Sequence, residues 1–226
     1  MSRWAVFFLV LVALGLSILL FILGLVTAKT NLLGWFLMVT GFVYFFGVIF
    51  VYWIRKIQFW GPRTGGKPLK EERNDWSFWF IVLGMVAMFY LPPVEYLLMP
   101  AILPRMVSIE IIGFLLIISG SVLFIWARRT LGNFYSGHVS VVEGQQLVQS
   151  GPYHFIRHPA YAGYTLITLG LSLGYSSIAG FAAILFLLLP SVIYRLRVED
   201  KLLAEHFGVE FNQYAARVAR LVPGIW

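Results

Sequence analysis

The chain has 226 residues, of which 60% are hydrophobic and 12% charged, and its mean hydropathy is +0.83. A soluble domain is about half apolar and about a quarter charged, and a chain of this size cannot hide so large an apolar excess in its own core, which excludes an ordinary soluble globule and makes the bilayer the solvent. The formal net charge of +7 then reads as an orientation signal rather than a nucleic-acid footprint, and the lack of cysteine excludes disulfides, thiolate metal ligation and a cysteine nucleophile.

In chain order, Trp4 to Val26 is a run without a charge, long enough at ~1.5 Å per residue to cross a ~30 Å hydrocarbon layer. It exceeds the h-region of a cleaved signal, so a retained helix is expected. Leu32 to Ile54 is a second uncharged run, separated from the first by a short Lys29-Thr30-Asn31 turn, and the two are expected to pair antiparallel. Next comes a basic stretch whose low-complexity part, Gly61 to Pro68, reads as a flexible loop, either solvated or touching anionic lipid. A third run covers 76–99, with Pro92-Pro93 and Glu95 inside it, and the helix is expected to stop or bend at Leu91. A fourth covers 109–127 and is closed by Arg128-Arg129, cations that suit a helix C-terminus.

From Thr130 to Pro159 the chain is punctuated by Gly132, Gly137, Gly144, Gly151 and Pro152, so turns dominate. Val139–Val142 and Gln146–Val148 have extended character, and Ser150 to Tyr153 reads as a turn. A loop of this length between membrane helices is more often functional than decorative. In the Arg157-His158-Pro159 segment that follows, Pro159 suits the first helical position and His158 the N-cap. The free N–H groups there, with Arg157 beside them, either form an anion site or an ordinary interfacial cap. Gly163, one turn in, permits close approach by a helix or a ligand.

Ala160–Leu173 and Ile178–Tyr194 are two shorter apolar segments joined by Gly174-Tyr175-Ser176-Ser177 and expected to form a helical hairpin. The second ends in a charged run in which Arg195 and Glu199, at i, i+4, share one face, Arg197 and Lys201 share another, and Asp200 neighbours Glu199 without sharing its direction. Those charges serve either a salt-bridged helix emerging into water or a site. After Gly208, Phe211, Tyr214 and Val218 stand at helical spacing, as in a short amphipathic helix at the membrane surface.

Of the 17 lysines and arginines, all but Lys29 and Arg105 fall on one side if both termini are cytosolic. That asymmetry predicts a multi-pass protein with cytosolic termini and a cytosolic C-terminal apparatus. No two of the four histidines, at 138, 154, 158 and 206, stand on one helix at i, i+4 with a carboxylate partner, so no metal site is expected.

Leu147-Val148, Gly151-Pro152-Tyr153, Arg157-His158-Pro159-Ala160-Tyr161-Ala162-Gly163, Arg195 through Glu199-Asp200, Phe207-Gly208 and Tyr214 occur in an order and spacing that resemble the C-terminal region of the isoprenylcysteine carboxyl methyltransferases, from about Arg128 to Trp226. The Arg-His-Pro-x-Tyr-x-Gly run followed by an arginine, a carboxylate pair and Phe-Gly is specific only in combination. The resemblance implies an S-adenosyl-L-methionine site contacted by Gln145, Gln146, Leu147, Val148, Tyr153, His158, Pro159, Ala160 and Tyr161, with Glu199 holding polar hydrogens of the cofactor and Arg195 facing the methyl acceptor. It also implies a lipidic or membrane-partitioning acceptor. The second carboxylate of the pair, usually glutamate in that family, is Asp200 here, and glutamines stand where a histidine often precedes Leu-Val.

The expected fold is therefore all-α. N-terminal transmembrane helices occupy 1–127 (4–26, 32–54, 76–99 and 109–127) and a cofactor-binding and catalytic region occupies 128–226. Together they would form a polytopic bundle of five to six membrane helices, the last two a helical hairpin, with a cytosolic cofactor-binding loop and C-terminal amphipathic helices. Two other functions compete. A membrane sterol or lipid reductase using NADPH would want further cations for the 2′-phosphate, and a scaffold or transporter would be favoured by charges buried mid-span, which the first two runs lack.

Overall fold

A computed structural model describes residues 68–71, 76–135 and 139–224, and of these the great majority are helical. The first two expected spans, 4–26 and 32–54, lie outside the described residues. In order, the described elements are strand β1 (Pro68–Glu71), helix α1 (Trp76–Leu98), helix α2 (Val107–Leu131), a 3₁₀ turn at Gly132–Phe134, strand β2 (Ser140–Val142), a second 3₁₀ turn at Gly151–His154, helix α3 (Pro159–Gly174), helix α4 (Ile178–Phe207) and helix α5 (Val209–Arg217). Two of these, α2 and α4, are long and apolar enough to cross a membrane.

Of the two outcomes expected at Leu91, a stop or a bend, the stop does not occur, because helix α1 runs through Pro92 and Pro93 to Leu98. A proline inside a helix forfeits a hydrogen bond and crowds the carbonyl four residues back, at a cost of ~3 kcal/mol. The turn that follows is fastened from outside. Glu95 accepts hydrogen bonds from the Ser177 hydroxyl at 2.5 Å, the Ala179 N–H at 2.9 Å and the Ile178 N–H at 3.1 Å, which satisfies the free donors at the start of α4. The Arg105 guanidinium donates to the Tyr96 carbonyl at 3.0 Å and lies 4.1 Å from the centre of the Tyr96 ring. Pro92 is fully buried against these contacts.

Helix α2 presents Ile111, Ile112, Leu115, Ile118, Val122 and Ile125 outward and buries Gly113, Gly120 and Ala127 on the opposite face. That small-residue face packs against α3 so closely that a Cβ on Gly113 would stand 2.6 Å from the Gly170 carbonyl oxygen, and one on Gly120 2.5 Å from that of Gly163. Where lipid offers no hydrophobic drive between helices, such backbone approach is what holds them together. The hydrophobic core is formed by Met88 and Leu97 of α1, Ile167 and Leu171 of α3, and Ile184, Leu188, Val192 and Leu196 of α4.

Helix α4 contains a π turn at Ile184–Leu188, immediately ahead of Pro190. The proline has no N–H to give, and widening the preceding turn accommodates its ring without ending the helix. The apolar part of α4 ends at Tyr194, and 195–207 forms a charged extension of the same helix. Gly208, at φ +57°, then turns the chain into α5, which buries Phe211 and Tyr214 as its amphipathic spacing predicts.

The all-α expectation needs one amendment, since β1 and β2 pair antiparallel, with Lys70 opposite Val141 and Glu71 opposite Ser140. Extended character at 139–142 was legible in Val141 and Val142, both fully buried, whereas 146–148, also expected to be extended, forms no strand. Ser150–Tyr153, expected as a turn, is the second 3₁₀ turn.

Candidate active site

His158 occupies the N-cap of α3 with Pro159 at the first helical position, as the residue types require. Its side chain makes no capping hydrogen bond. It is buried and reaches across to the charged extension of α4, where Nε2 lies 2.8 Å from Asp200 Oδ1 and Nδ1 lies 3.9 Å from Glu199 Oε2. One turn along α3, the Tyr161 ring meets the His158 ring edge-on at 6.0 Å, and its hydroxyl accepts a hydrogen bond of 3.0 Å from Arg195 Nε. Arg195 is 4% exposed, whereas the Glu199 side chain keeps 32% of its surface open. The arginine is thus built in and the glutamate stands at the rim.

Asp200 is engaged by three partners. Its Oδ2 receives Arg220 Nε at 2.7 Å and Arg157 at 3.1 Å, while Oδ1 faces His158. Burial pushes the Asp200 carboxyl up, but the His158 hydrogen bond and charge and the two arginines outweigh it, and the net effect holds the group below the usual carboxylate range. Burial lowers the Arg157 guanidinium against the pull of Asp200.

The loop ahead of α3 and the C-terminal tail close around this cluster. Tyr153, buried in the second 3₁₀ turn, accepts through its carbonyl a 2.6 Å hydrogen bond from the Tyr214 hydroxyl of α5. The Arg157 N–H donates to the Ala219 carbonyl at 2.8 Å and the His158 N–H to that of Arg220 at 3.0 Å, so the tail lies parallel to the approach to α3. Burial and then the nearby Glu199 charge raise the Tyr153 phenol, and burial pushes that of Tyr214 up to about 12. Tyr135, at the end of the first 3₁₀ turn, feels Glu199 and Arg195 as well, and burial, its leading influence, raises its phenol. The Arg128 guanidinium sits 4.9 Å from the centre of the Tyr135 ring.

Of the residues singled out from sequence, Tyr153, His158, Tyr161, Arg195 and Glu199 are therefore close neighbours. Pro159 and Ala160 begin the helix that carries them, Pro159 buried and Ala160 half-buried. Gln145 turns back on its own strand end, its side-chain oxygen accepting from the Val142 N–H at 3.0 Å. Gln146 is exposed and Leu147 and Val148 are half-buried in the segment after β2, a strand that itself packs against the outer part of α4. Sequence reasoning offered Arg157 only as the neighbour of an anion site and assigned no role in the site to Tyr135, Asp200, Tyr214 or Arg220. For Asp200 a signal was present, because two adjacent carboxylates on a helix diverge by ~100° and cannot serve one surface.

Residues 109–210 match the phospholipid methyltransferase family. The chain is 31% identical over 117 residues to protein-S-isoprenylcysteine O-methyltransferase of Saccharomyces cerevisiae, covering 51% of this chain and 49% of that one. It is 27% identical over 113 residues to protein-S-isoprenylcysteine O-methyltransferase A of Arabidopsis thaliana, covering 49% and 57%. It is also 37% identical over 98 residues to the cobalt-zinc-cadmium resistance protein CzcN of Cupriavidus metallidurans, covering 42% and 44%. The match spans about half the length of each of these relatives.

Proposed function

From a C-terminal half that is isoprenylcysteine methyltransferase-like, we infer that the protein is an integral membrane S-adenosyl-L-methionine-dependent methyltransferase. Its acceptor is a lipidic or membrane-partitioning molecule, with a carboxylate such as that of an isoprenylcysteine fitting best. The observation that carries this reading is the convergence of Tyr153, His158, Tyr161, Arg195 and Glu199 just beyond the apolar part of α4. The helix count follows the sequence reading: five to six crossings, the last two a hairpin, with both termini and the site cytosolic.

The donor set fits such a cofactor. When bound, it supplies an electrophilic methyl group on a sulfonium. Glu199, with a third of its side chain open, offers an acceptor for the ammonium and hydroxyl hydrogens such a molecule carries. Tyr153 and Tyr161 offer aromatic surface, and Gln146, Leu147 and Val148 belong to the site by the resemblance alone. Arg195 is held in place by its bond to Tyr161 and, as a buried cation beside the site, suits an anionic acceptor by its charge. Displacement at a sulfonium methyl requires alignment and exclusion of water more than a strong base, and positioning of that kind is worth several kcal/mol, up to ~10. A carboxylate acceptor arrives already ionised. An amine or thiol acceptor would give up a proton, for which His158 and Glu199 are the groups at hand.

Isothermal titration of the purified protein in detergent with S-adenosylhomocysteine tests the reading. Binding that is weakened in Glu199→Ala and His158→Ala, with both variants folded, is expected. No binding at millimolar ligand refutes the function, and NADPH binding in its place would point to the reductase.

A further inference from the structure

The adjacent carboxylates Glu199 and Asp200 have separate tasks, and the geometry around Asp200 defines the second. Oδ2 is taken by two guanidinium groups, Arg220 at 2.7 Å and Arg157 at 3.1 Å, which fix the plane of the carboxylate and leave Oδ1 aimed at His158 Nε2, 2.8 Å away. The Asp200 side chain is 9% exposed and that of His158 3%, so water does not compete for this bond. Two arginines beside it keep Asp200 ionised, and an ionised carboxylate only accepts. The proton of the bond therefore sits on Nε2.

In the neutral ring that leaves Nδ1 bare, 3.9 Å from Glu199 Oε2. This is beyond hydrogen-bond length, and both atoms are then acceptors. Such a pair satisfies itself through a donor between them, an ammonium or a hydroxyl hydrogen of a ligand. If Nδ1 carried the proton instead, it would point at Glu199 and the gap would close into an internal hydrogen bond to that carboxylate.

We propose that Asp200 is a positioning residue that fixes His158 as its Nε2–H form and so turns His158 Nδ1 and Glu199 into a paired acceptor for a ligand's N–H or O–H groups. The role of the pair toward a ligand rests on the cofactor reading above; the tautomer does not. Asp200 itself touches no ligand, since its two oxygens are spent on Arg157, Arg220 and His158. The groups facing the imidazole are Asp200 and Glu199 from α4 and Tyr161 from α3.

The test uses the full-length protein in detergent or nanodiscs with ¹⁵N-labelled histidine. The chain has four histidines, and His158 is assigned from the signal that His158→Gln removes. Ring-nitrogen shifts of the ligand-free wild type at alkaline pH, where imidazole is neutral, should report Nε2–H for His158. Asp200→Asn, whose amide can either donate or accept, should mix the two forms and weaken S-adenosylhomocysteine binding about tenfold, a loss of ~1.4 kcal/mol. Asp200→Glu should restore both readings, which a role in packing alone would not produce. An Nδ1–H signal in the wild type overturns the proposal without recourse to any variant, and so does a tautomer unchanged in a folded Asp200→Asn. If the wild type shows Nε2–H but binds no S-adenosylhomocysteine, the cofactor reading falls while the positioning of His158 by Asp200 stands.

Discussion

Gly163→Ala joins packing to function in one substitution. A Cβ at this position would stand 2.6 Å from the Gly120 carbonyl oxygen and 2.8 Å from the Phe124 amide nitrogen, where ordinary contact begins at 3.4 Å. Both neighbours are backbone, so no side chain can swing away and α2 and α3 must part by about 0.8 Å, the difference between 3.4 and 2.6 Å. Overpacking of this kind costs ~1–3 kcal/mol, and rigid backbone puts it near the top of that range. Alanine's better helix propensity returns up to ~1 kcal/mol, for a net loss of ~2 kcal/mol. The functional effect should exceed the loss of stability. Gly163 lies in the same first turns of α3 as His158 and Tyr161, and displacing α3 moves both rings relative to Arg195, now 3.0 Å from the Tyr161 hydroxyl. A misplacement near 1 Å lowers a position-dependent rate by ~10²-fold. Gly84→Ala in α1 is the control, since its nearest atoms, on Leu188, are 3.9 Å away and a methyl fits there. Thermal unfolding in detergent and titration with S-adenosylhomocysteine should separate the two variants, with Gly163→Ala less stable and weaker in binding and Gly84→Ala at or above the wild type. If the two behave alike, the close approach of α2 and α3 neither supports the fold nor positions the site.

Glu95→Ala removes three hydrogen bonds at the start of α4 and should cost ~2–3 kcal/mol of stability while leaving S-adenosylhomocysteine affinity within about threefold in the remaining folded protein; a large loss of affinity at unchanged melting temperature would contradict a purely structural cap. Asp200→Asn should cost ~2–3 kcal/mol at neutral pH, because it leaves Arg157 and Arg220 without their anion. The native Asp200 carboxyl is lowered, so its contribution is complete above 3.8, its ordinary value, shrinks as the pH falls below that, and vanishes once the pH passes the native value. Urea unfolding of wild type and variant at a series of acid pH values should therefore converge, and a constant gap would refute the assignment. Arg195→Lys loses the guanidinium fork and the bond to Tyr161 and should lower turnover of an anionic acceptor by ~10–100-fold with cofactor affinity nearly unchanged; an equal effect on a neutral acceptor would remove the role given to Arg195.

What could be read from the sequence followed the reach of each signal. Hydropathy and length marked runs at 76–99, 109–127 and 178–194, which fall within or close to the helices at 76–98, 107–131 and 178–207, and Pro159 with His158 marked the start of α3, because these depend on local composition and on backbone donors. The i, i+4 relation put Arg195 and Glu199 on one face, where Glu199 faces the His158 ring and Arg195 the Tyr161 hydroxyl. Pro92-Pro93 did not stop the helix, because the bonds to Glu95 and Tyr96 that fasten that turn come from residues as distant as Ser177 and Ala179. The pairing of 68–71 with 140–142 was invisible for the same reason, since a four-residue strand has no periodicity of its own and its partner lies some seventy residues along the chain. Arg220 counted only toward orientation until the tail brought it to Asp200.

The two ends of the helical bundle differ in a way that bears on where a soluble ligand meets the membrane. At the start of α4, Glu95, Ser177, Tyr96 and Arg105 are spent on capping and on each other. At its charged end, Asp200 draws Arg157, Arg220 and His158 together and ties down the chain's last described turns. That leaves its neighbour Glu199, ~100° round the helix, as the carboxylate at the rim, with a third of its side chain open beside a buried arginine and three tyrosines. A pair that looks redundant in sequence thus divides its work, one acid holding the framework and the other facing whatever enters. Exchanging the two, as Glu199→Asp with Asp200→Glu, keeps the charge and composition of the pair, shortens the acid that faces the site and lengthens the one that holds the framework, a change the Asp200→Glu single variant measures by itself. The double variant should melt close to the wild type yet bind S-adenosylhomocysteine about tenfold more weakly, and equal affinity would show that reach toward the ligand is not what distinguishes the two carboxylates.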